Sequence, residues 1–440
     1  MYIERRRFHS DTEEAAMADQ RYAVSIGFGE NVNQYSEAYQ TQPGYAVQWK
    51  GVLQKAHRVG LVRCLCPGKG TRRLAVRHRS DSDSFHLSRY PHTGAEHALD
   101  CLYYSPDPDK SGLGGYSKGV VEETKDGDLK VKLTLSLRKK DPADVQPMEG
   151  TSPTPSGGKP TKPAMTLGGL LHLLWSEAGL NQWMPGMAGK RSLGLIHSRL
   201  QQAADRMLAS RMRIGDALVI ASSSADGQQA NANSQKVASA IRNNRRLIVI
   251  APLAAYSEER EQTMSRYITI TGYHGVPRLF TDKDTWQRIA RSYAAELRGW
   301  REGRRVVAIV QTDQPTAPGK AQALNVALMV VSEEWIPVES GYEAKIEALL
   351  REQGRRFIKP MRFDAGQEQV FPDFWLMDVG AGRELPMEVY GRQDPKYLAR
   401  KQAKCAYYTQ HYGPTGWWSW DASADPRGMN IPAFPPIRHP

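Results

Sequence analysis

The chain is poor in cysteine: it has four in 440 residues, and three of them (Cys64, Cys66 and Cys101) lie near one end. So few thiols cannot form a disulfide framework, which excludes a small, stapled, secreted fold and leads us to expect a cytoplasmic compartment. No run of about 18 apolar residues occurs either, so neither a spanning helix nor a membrane partner is expected. The opening MYIERRRFHSDTEEAAMADQ has basic residues with no apolar segment behind them. It is therefore no secretory signal, and it reads as part of a partly disordered leader over 1–43. A nucleotide-cradling loop is missing as well. GMAGKRS and CPGKGT lack the four-residue spacing between the first glycine and the GK[ST] pair that lets backbone amides wrap a phosphate.

Cations are present in excess. Lys and Arg number 59 against 47 Asp and Glu, giving a net charge of +12 and a pI near 9.4. A surface of that sign gains affinity for polyanions by releasing counterions from phosphates, so DNA is the first partner expected. Apolar residues make up 40% of the chain, with 10 Trp and 19 Tyr among the aromatics, which is ample material for cores. The length calls for two or three of them.

Composition divides the chain. Residues 44–140 read as a β-rich unit that ends in two strands, KGVVEE and LKVKLTLSL, around the turn signal Asp126-Gly127. Residues 141–164, DPADVQPMEGTSPTPSGGKPTKPA, have almost nothing to bury and read as a flexible linker. From 165 to 335, helical periodicity (TLGGLLHLLWSEA, LIHSRLQQAADRMLAS) alternates with apolar strand-like runs (RRLIVIAPL, RRVVAIVQT), as in a mixed α/β domain. The fold class expected is a multidomain α/β (α+β) protein. Inside the first unit, RCLC and HALDC bring together Cys64, Cys66, His97 and Cys101, a thiolate and imidazole set suited to a structural tetrahedral Zn²⁺. His97 and Cys101 would share a face if their segment were helical, and His92 is an alternative fourth ligand.

Near the other end, FPDFWLMDVGAGRELPMEVYG (371–391) reads as a hairpin with its tip at Gly380 and Ala381. Pairing about that tip makes Asp373 and Glu388 opposite or diagonal neighbours, two like charges that repel. A Mg²⁺ ion held by both carboxylates, with the Val389 carbonyl beside them, would relieve the repulsion. Upstream, SGYEAKIEALLREQG reads as a helix capped by Ser340. Glu343 lies at the border of its apolar face, where the reciprocal half of a capping box would also place it. Downstream, Asp394-Pro395 opens a helix whose spacing puts Tyr397, Lys401, Lys404 and Tyr408 on one stripe. Such a stripe suits a phosphate backbone, although a solvated face is its commoner role. Cys405 reads as core packing, the tryptophans of GWWSWD as a strand, and 426–440 as a proline-rich tail.

A helix carrying Glu, strands carrying Pro372-Asp373 and Glu388, and a helix carrying lysines together resemble the PD-(D/E)xK nuclease superfamily. The resemblance covers roughly residues 338–422. It implies a restriction-endonuclease-like αβββαβ domain over 336–425, with Mg²⁺ on Asp373 and Glu388 and a metal-bound water oriented by Glu343. The family's second strand reads D/E-x-K, whereas here Tyr390 follows Glu388-Val389. Relatives that carry the lysine on the next helix imply Lys401 or Lys404 as the substitute. The C-x-C, H-x-x-x-C, EVYG and YLARK motifs also resemble a family of plasmid and integrative-element proteins of about this length, which implies a setting in mobile DNA and supplies no activity. The expected function is metal-dependent DNA cleavage by an endonuclease or nickase-like protein. The alternative is a noncatalytic DNA-binding or scaffolding protein of plasmid maintenance or transfer.

Overall fold

A computed structural model describes residues 20–57, 60–79, 83–90, 93–98, 100–104, 119–124, 128–134, 136–137, 164–225, 227–361, 371–380 and 384–438. Most of the expected leader before β1, His92, the Asp126-Gly127 turn, Ala381 of the hairpin tip and all but the last residue of the expected linker lie outside them. No helix among the described residues is long and apolar enough to cross a membrane. The chain divides into two compact units.

The first unit is built on strands β1 (Val24–Phe28), β2 (Asn31–Tyr35), β3 (Leu61–Cys64), β4 (Arg73–Arg79) and β5 (Ser84–Arg89). They form an antiparallel sheet in the order β2-β1-β3-β4-β5. Strands β1 and β2 therefore occupy part of the stretch expected to be a leader. Helices α1 (Glu37–Thr41) and α2 (Ala46–Ala56) follow this first hairpin, with Ser36 capping α1. In β3 the sequence LVRC alternates so that Val62 and Cys64 point inward. There they join Val24, Ile26, Leu53, Ala56 and Leu74 in one apolar cluster that also holds Cys66 and Cys101.

Strands β6 (Val121–Glu123) and β7 (Leu129–Val131) were expected to pack with the cysteines, but they belong to the second unit. Strand β7 runs parallel to β9 (Met207–Ala209), with β10 (Met212–Arg213) beyond it. The reason lies in side-chain alternation: Leu129 and Val131 bury themselves in the cluster of Met207 and helix α3 (Leu167–Glu177) rather than among the thiols.

A six-stranded sheet forms the middle of this unit. Its strands are β11 (Leu218–Ile220), β12 (Ile248–Pro252), β13 (Tyr267–Ile268), β14 (Arg278–Phe280), β15 (Arg305–Thr312) and β16 (Lys320–Val331). They are ordered β11-β12-β15-β16-β14-β13. Strand β12 is buried throughout because its alternate side chains feed two cores: Ile248 and Ile250 face the cluster of α3, while Val249 faces that of Leu297 and Trp300. Fully apolar strands of this kind require cover on both faces.

The last sheet belongs to a region that runs, in chain order, helix Gly341–Glu352, β17 (Phe357–Ile358), β18 (Phe374–Leu376), β19 (Leu385–Tyr390), helix Pro395–Tyr412 and β20 (Trp418–Asp421). An edge strand from the middle of the chain, β8 (Gln182–Trp183), joins it, and the strand order is β20-β19-β18-β17-β8. Because β8 pairs with β17, the expected boundary at 335 is not one. Asn181 Nδ2 also donates to the Lys359 carbonyl at 2.8 Å, and both regions fall in the second unit.

Candidate functional site

In the first unit, Cys64 ends β3 and Cys66 follows two residues later. His97 stands at the end of a short 3-10 turn (Gly94–Glu96), with Cys101 beyond it. This segment is a turn and not the helix that the four-residue spacing suggested, yet both side chains reach the same point. Gly68 makes the approach possible, because a Cβ there would stand 2.1 Å from the Glu96 carbonyl. The four residues are buried, and their ligand atoms all lie within 4.8 Å of one another. The Cys64 and Cys101 sulfurs are 3.7 Å apart, and His97 Nδ1 is 3.6 Å from the sulfurs of both Cys66 and Cys101. A tetrahedral ion with ordinary Zn–S and Zn–N bonds requires edges of about 3.8 and 3.5 Å, so the cage has the size of such an ion. Hydrogen bonds from Cys101 and Cys64, with help from the Ala98 amide, hold Cys66 well below the usual thiol range, while Cys101 is held far above it. This group could hold a metal ion.

In the second unit, Phe374 pairs with Met387, and just before that pair the Asp373 amide donates to the Met387 carbonyl at 2.8 Å, so Asp373 stands at the end of the ladder close enough to Glu388 for their charges to repel. Asp373 Oδ2 accepts the Val389 amide at 2.7 Å, so Val389 meets Asp373 through its N–H. Glu388 is buried and accepts from Lys404 Nζ at 2.7 and 3.0 Å and from the Tyr408 hydroxyl at 2.8 Å. Burial first, then repulsion by Asp373, pushes its carboxyl up to about 7 against the pull of Lys404.

Helix α4 (Gly341–Glu352) presents Glu343 from its first turn. Ser340 caps it by accepting the Glu343 amide at 3.1 Å. The Glu343 carboxylate accepts from the Glu339 amide at 3.0 Å, one residue before the position a capping box would use. Its other partner is Lys359 Nζ at 2.8 Å. Burial, together with Asp373 and Glu339, raises Glu343 to about 7, although Lys359 opposes the shift. Burial disfavours the charge on Lys359, yet the carboxylates of Glu343, Glu339 and Asp373 outweigh it and hold the ammonium above the ordinary lysine range.

Helix α5 (Pro395–Tyr412) separates the two lysines expected at the site, Lys401 and Lys404. Lys404 reaches Glu388 and also donates to the Phe371 carbonyl at 2.9 Å. Lys401 does not reach the carboxylates. It pairs with Asp421 at 2.6 Å and lies over the Tyr390 ring. The expected stripe is thus the inward face of the helix, with Tyr408 fully buried, and it is not a free phosphate-binding surface. Among the described residues, the cysteine and histidine group is the only set of three or more in which metal-ligand atoms converge. Glu343 therefore does not close a three-carboxylate cage with Asp373 and Glu388.

A family model described as Protein of unknown function (DUF1173) matches residues 39–423. The chain belongs to this family. No curated protein and no solved structure matches it. Both candidate sites of the DUF1173 chain, from Cys64 to Cys101 and from Glu343 to Lys404, lie inside the matched stretch.

Lys359 is the site residue that sequence reasoning missed. Its one signal is a lysine directly after the apolar pair Phe357-Ile358, where a strand end turns it inward. Asn181 fixes it: the Lys359 amide donates to the Asn181 carbonyl and Asn181 Nδ2 donates to the Lys359 carbonyl, both at 2.8 Å. Chemically, the DUF1173 chain assembles three buried carboxylates (Glu343, Asp373 and Glu388) with two lysines, leaving one negative charge uncompensated when all are ionised. That imbalance is what a divalent cation would relieve.

Proposed function

We propose that this protein is a metal-dependent DNA phosphodiesterase, an endonuclease or nickase-like enzyme that processes mobile-element DNA in the cytoplasm. The observation that supports it best is the neighbouring pair Asp373 and Glu388, with Lys404 bonded to Glu388. The pair lies within a helix, three strands, helix, strand order that resembles the PD-(D/E)xK nucleases. Asp373 and Glu388 would hold Mg²⁺, which when bound supplies Lewis-acid stabilisation of a phosphoryl oxygen. Glu343 accepts a proton or orients water. Lys404 opposes the rise that burial imposes on the Glu388 carboxyl and takes the place of the lysine absent at Tyr390. Cys64, Cys66, His97 and Cys101 would hold a structural Zn²⁺ that knits the first unit.

The test is cleavage. Asp373→Ala and Glu388→Ala should abolish Mg²⁺-dependent nicking and leave DNA affinity within about twofold, because removing negative charge does not weaken attraction to phosphate. A second reading, a noncatalytic DNA-binding protein, is favoured by the burial of every carboxylate in the site and by the pairing of Glu343 with Lys359 and of Glu388 with Lys404. A wild-type protein that binds DNA yet cuts no single-stranded, duplex or branched substrate with Mg²⁺ or Mn²⁺ would establish that reading instead.

A further inference from the structure

Helix α5 has no acidic side chain over its 18 residues. With Lys401 and Lys404 turned inward, the helix carries a second basic face that the lysine spacing did not reveal. Lys396, Arg400, Tyr407 and His411 recur at steps of four and seven residues and share one exposed side. Lys396 and Arg400 have no ion pair or hydrogen bond among the described residues. They contrast with Lys401, which is held by Asp421, and Lys404, which is held by Glu388. Tyr407 is 37% exposed and stacks on His411 with ring centres 4.0 Å apart and planes 27° from parallel. The face therefore offers cations at one end and a flat aromatic pair at the other, with Lys396 and Tyr407 separated along the helix by about 16 Å at 1.5 Å per residue.

We infer that this outer face of α5 is a track for single-stranded nucleic acid, with Lys396 and Arg400 on the phosphates and the Tyr407–His411 pair stacked under a base. Charge complementarity supplies the polyanion, and the aromatic pair selects the strand class. A duplex keeps its base faces stacked internally and leaves an exposed tyrosine nothing to cover, whereas an unpaired strand presents a π-face at every residue. The inference rests on the reading of the protein as one that acts on DNA, and it adds the surface and the form of the strand. Because the same helix carries Lys404 on its inner side, a strand on this track would run beside the carboxylate site.

The experiment measures binding alone, without added divalent cation, so a failure to cut DNA leaves it readable. Fluorescein-labelled dT20, rU20, an abasic strand of equal length and a 20-base-pair duplex are titrated over a range of salt. Wild type should bind dT20 about tenfold more tightly than the duplex. Lys396→Ala/Arg400→Ala should weaken binding to every strand and reduce the salt slope by roughly 1.4, two single-strand phosphate contacts at about 0.7 each. Tyr407→Ala should weaken dT20 about tenfold with the slope unchanged and leave the abasic strand and the duplex alone, while Tyr407→Phe restores dT20 binding. Matching results with rU20 would show that the track does not read the sugar. Preference for duplex, an unchanged slope in the double variant, or indifference of dT20 to Tyr407→Ala in protein of wild-type melting temperature would each overturn the inference. If nicking survives while these variants have no effect, the strand lies elsewhere and the nuclease reading stands without this surface.

Discussion

Lys401 and Lys404 lie about one turn apart on a single helix, yet they have different partners, and the difference predicts their phenotypes. Lys404→Met removes the cation beside a buried carboxylate and should cost about 3 kcal/mol or more, with loss of any cleavage; Lys401→Met breaks a half-exposed pair and should cost roughly 1 kcal/mol or less. Thermal unfolding of the two variants side by side checks this. Glu388 yields a second, pH-dependent prediction. Its carboxyl binds a proton more tightly in the folded chain, near 7, than in the unfolded chain. Its contribution to stability is therefore fully present below the unfolded value and is lost as pH rises through about 7. In metal-free protein, Glu388→Gln should flatten the fall in melting temperature between about pH 5.5 and pH 8 by an amount corresponding to roughly 1–3 kcal/mol. An identical pH profile for wild type and variant would refute the assignment.

Element by element, the sequence disclosed which residues share a face more readily than which way that face turns. Helical spacing correctly grouped Tyr397, Lys401, Lys404 and Tyr408, but a helix that turns lysines inward and leaves Leu398, Ala399, Ala403 and Ala406 exposed does not declare its inner side, and only the sheet beneath α5 decided it. The pairing of the strands that carry Asp373 and Glu388 was legible because a hairpin's register follows from its tip. The partner of Glu343 was not, because Lys359 arrives from a two-residue strand too short to show periodicity. Likewise, β7 looked like a companion of the cysteines because it is near them in sequence, and its actual neighbour β9 lies more than 70 residues on. The cysteine cluster was readable from residue type alone, since three thiols and an imidazole have few other reasons to converge. At this scale the prediction is metal content. Purified protein should carry about one equivalent of Zn²⁺, and Cys64→Ser or Cys101→Ser should lose it and lower the melting temperature of the first unit by several degrees. Elemental analysis that finds no metal in a well-folded protein would count against zinc.

Over the whole molecule, the carboxylate site depends on residues far outside 336–425. Asn181 holds Lys359, β8 closes the edge of the last sheet, and Arg191 donates to the Leu180 and Glu334 carbonyls. A fragment comprising 336–440 should therefore aggregate or melt well below one comprising 165–440, because it exposes the backbone groups of β17 and frees the Lys359 segment. Size-exclusion chromatography and thermal melts of the two fragments decide this. The same edge strand bears on how the chain is made. Strand β8 leaves the ribosome roughly 170 residues ahead of the β17 strand it pairs with. During that interval β8 has no strand to pair with, while α3 and the six-stranded sheet, which precede β17 in the chain, can already form. The last sheet is thus laid onto a surface already folded, and its assembly is a late, docking-limited step whose rate should respond to substitutions at Trp183 while the formation of the central sheet does not.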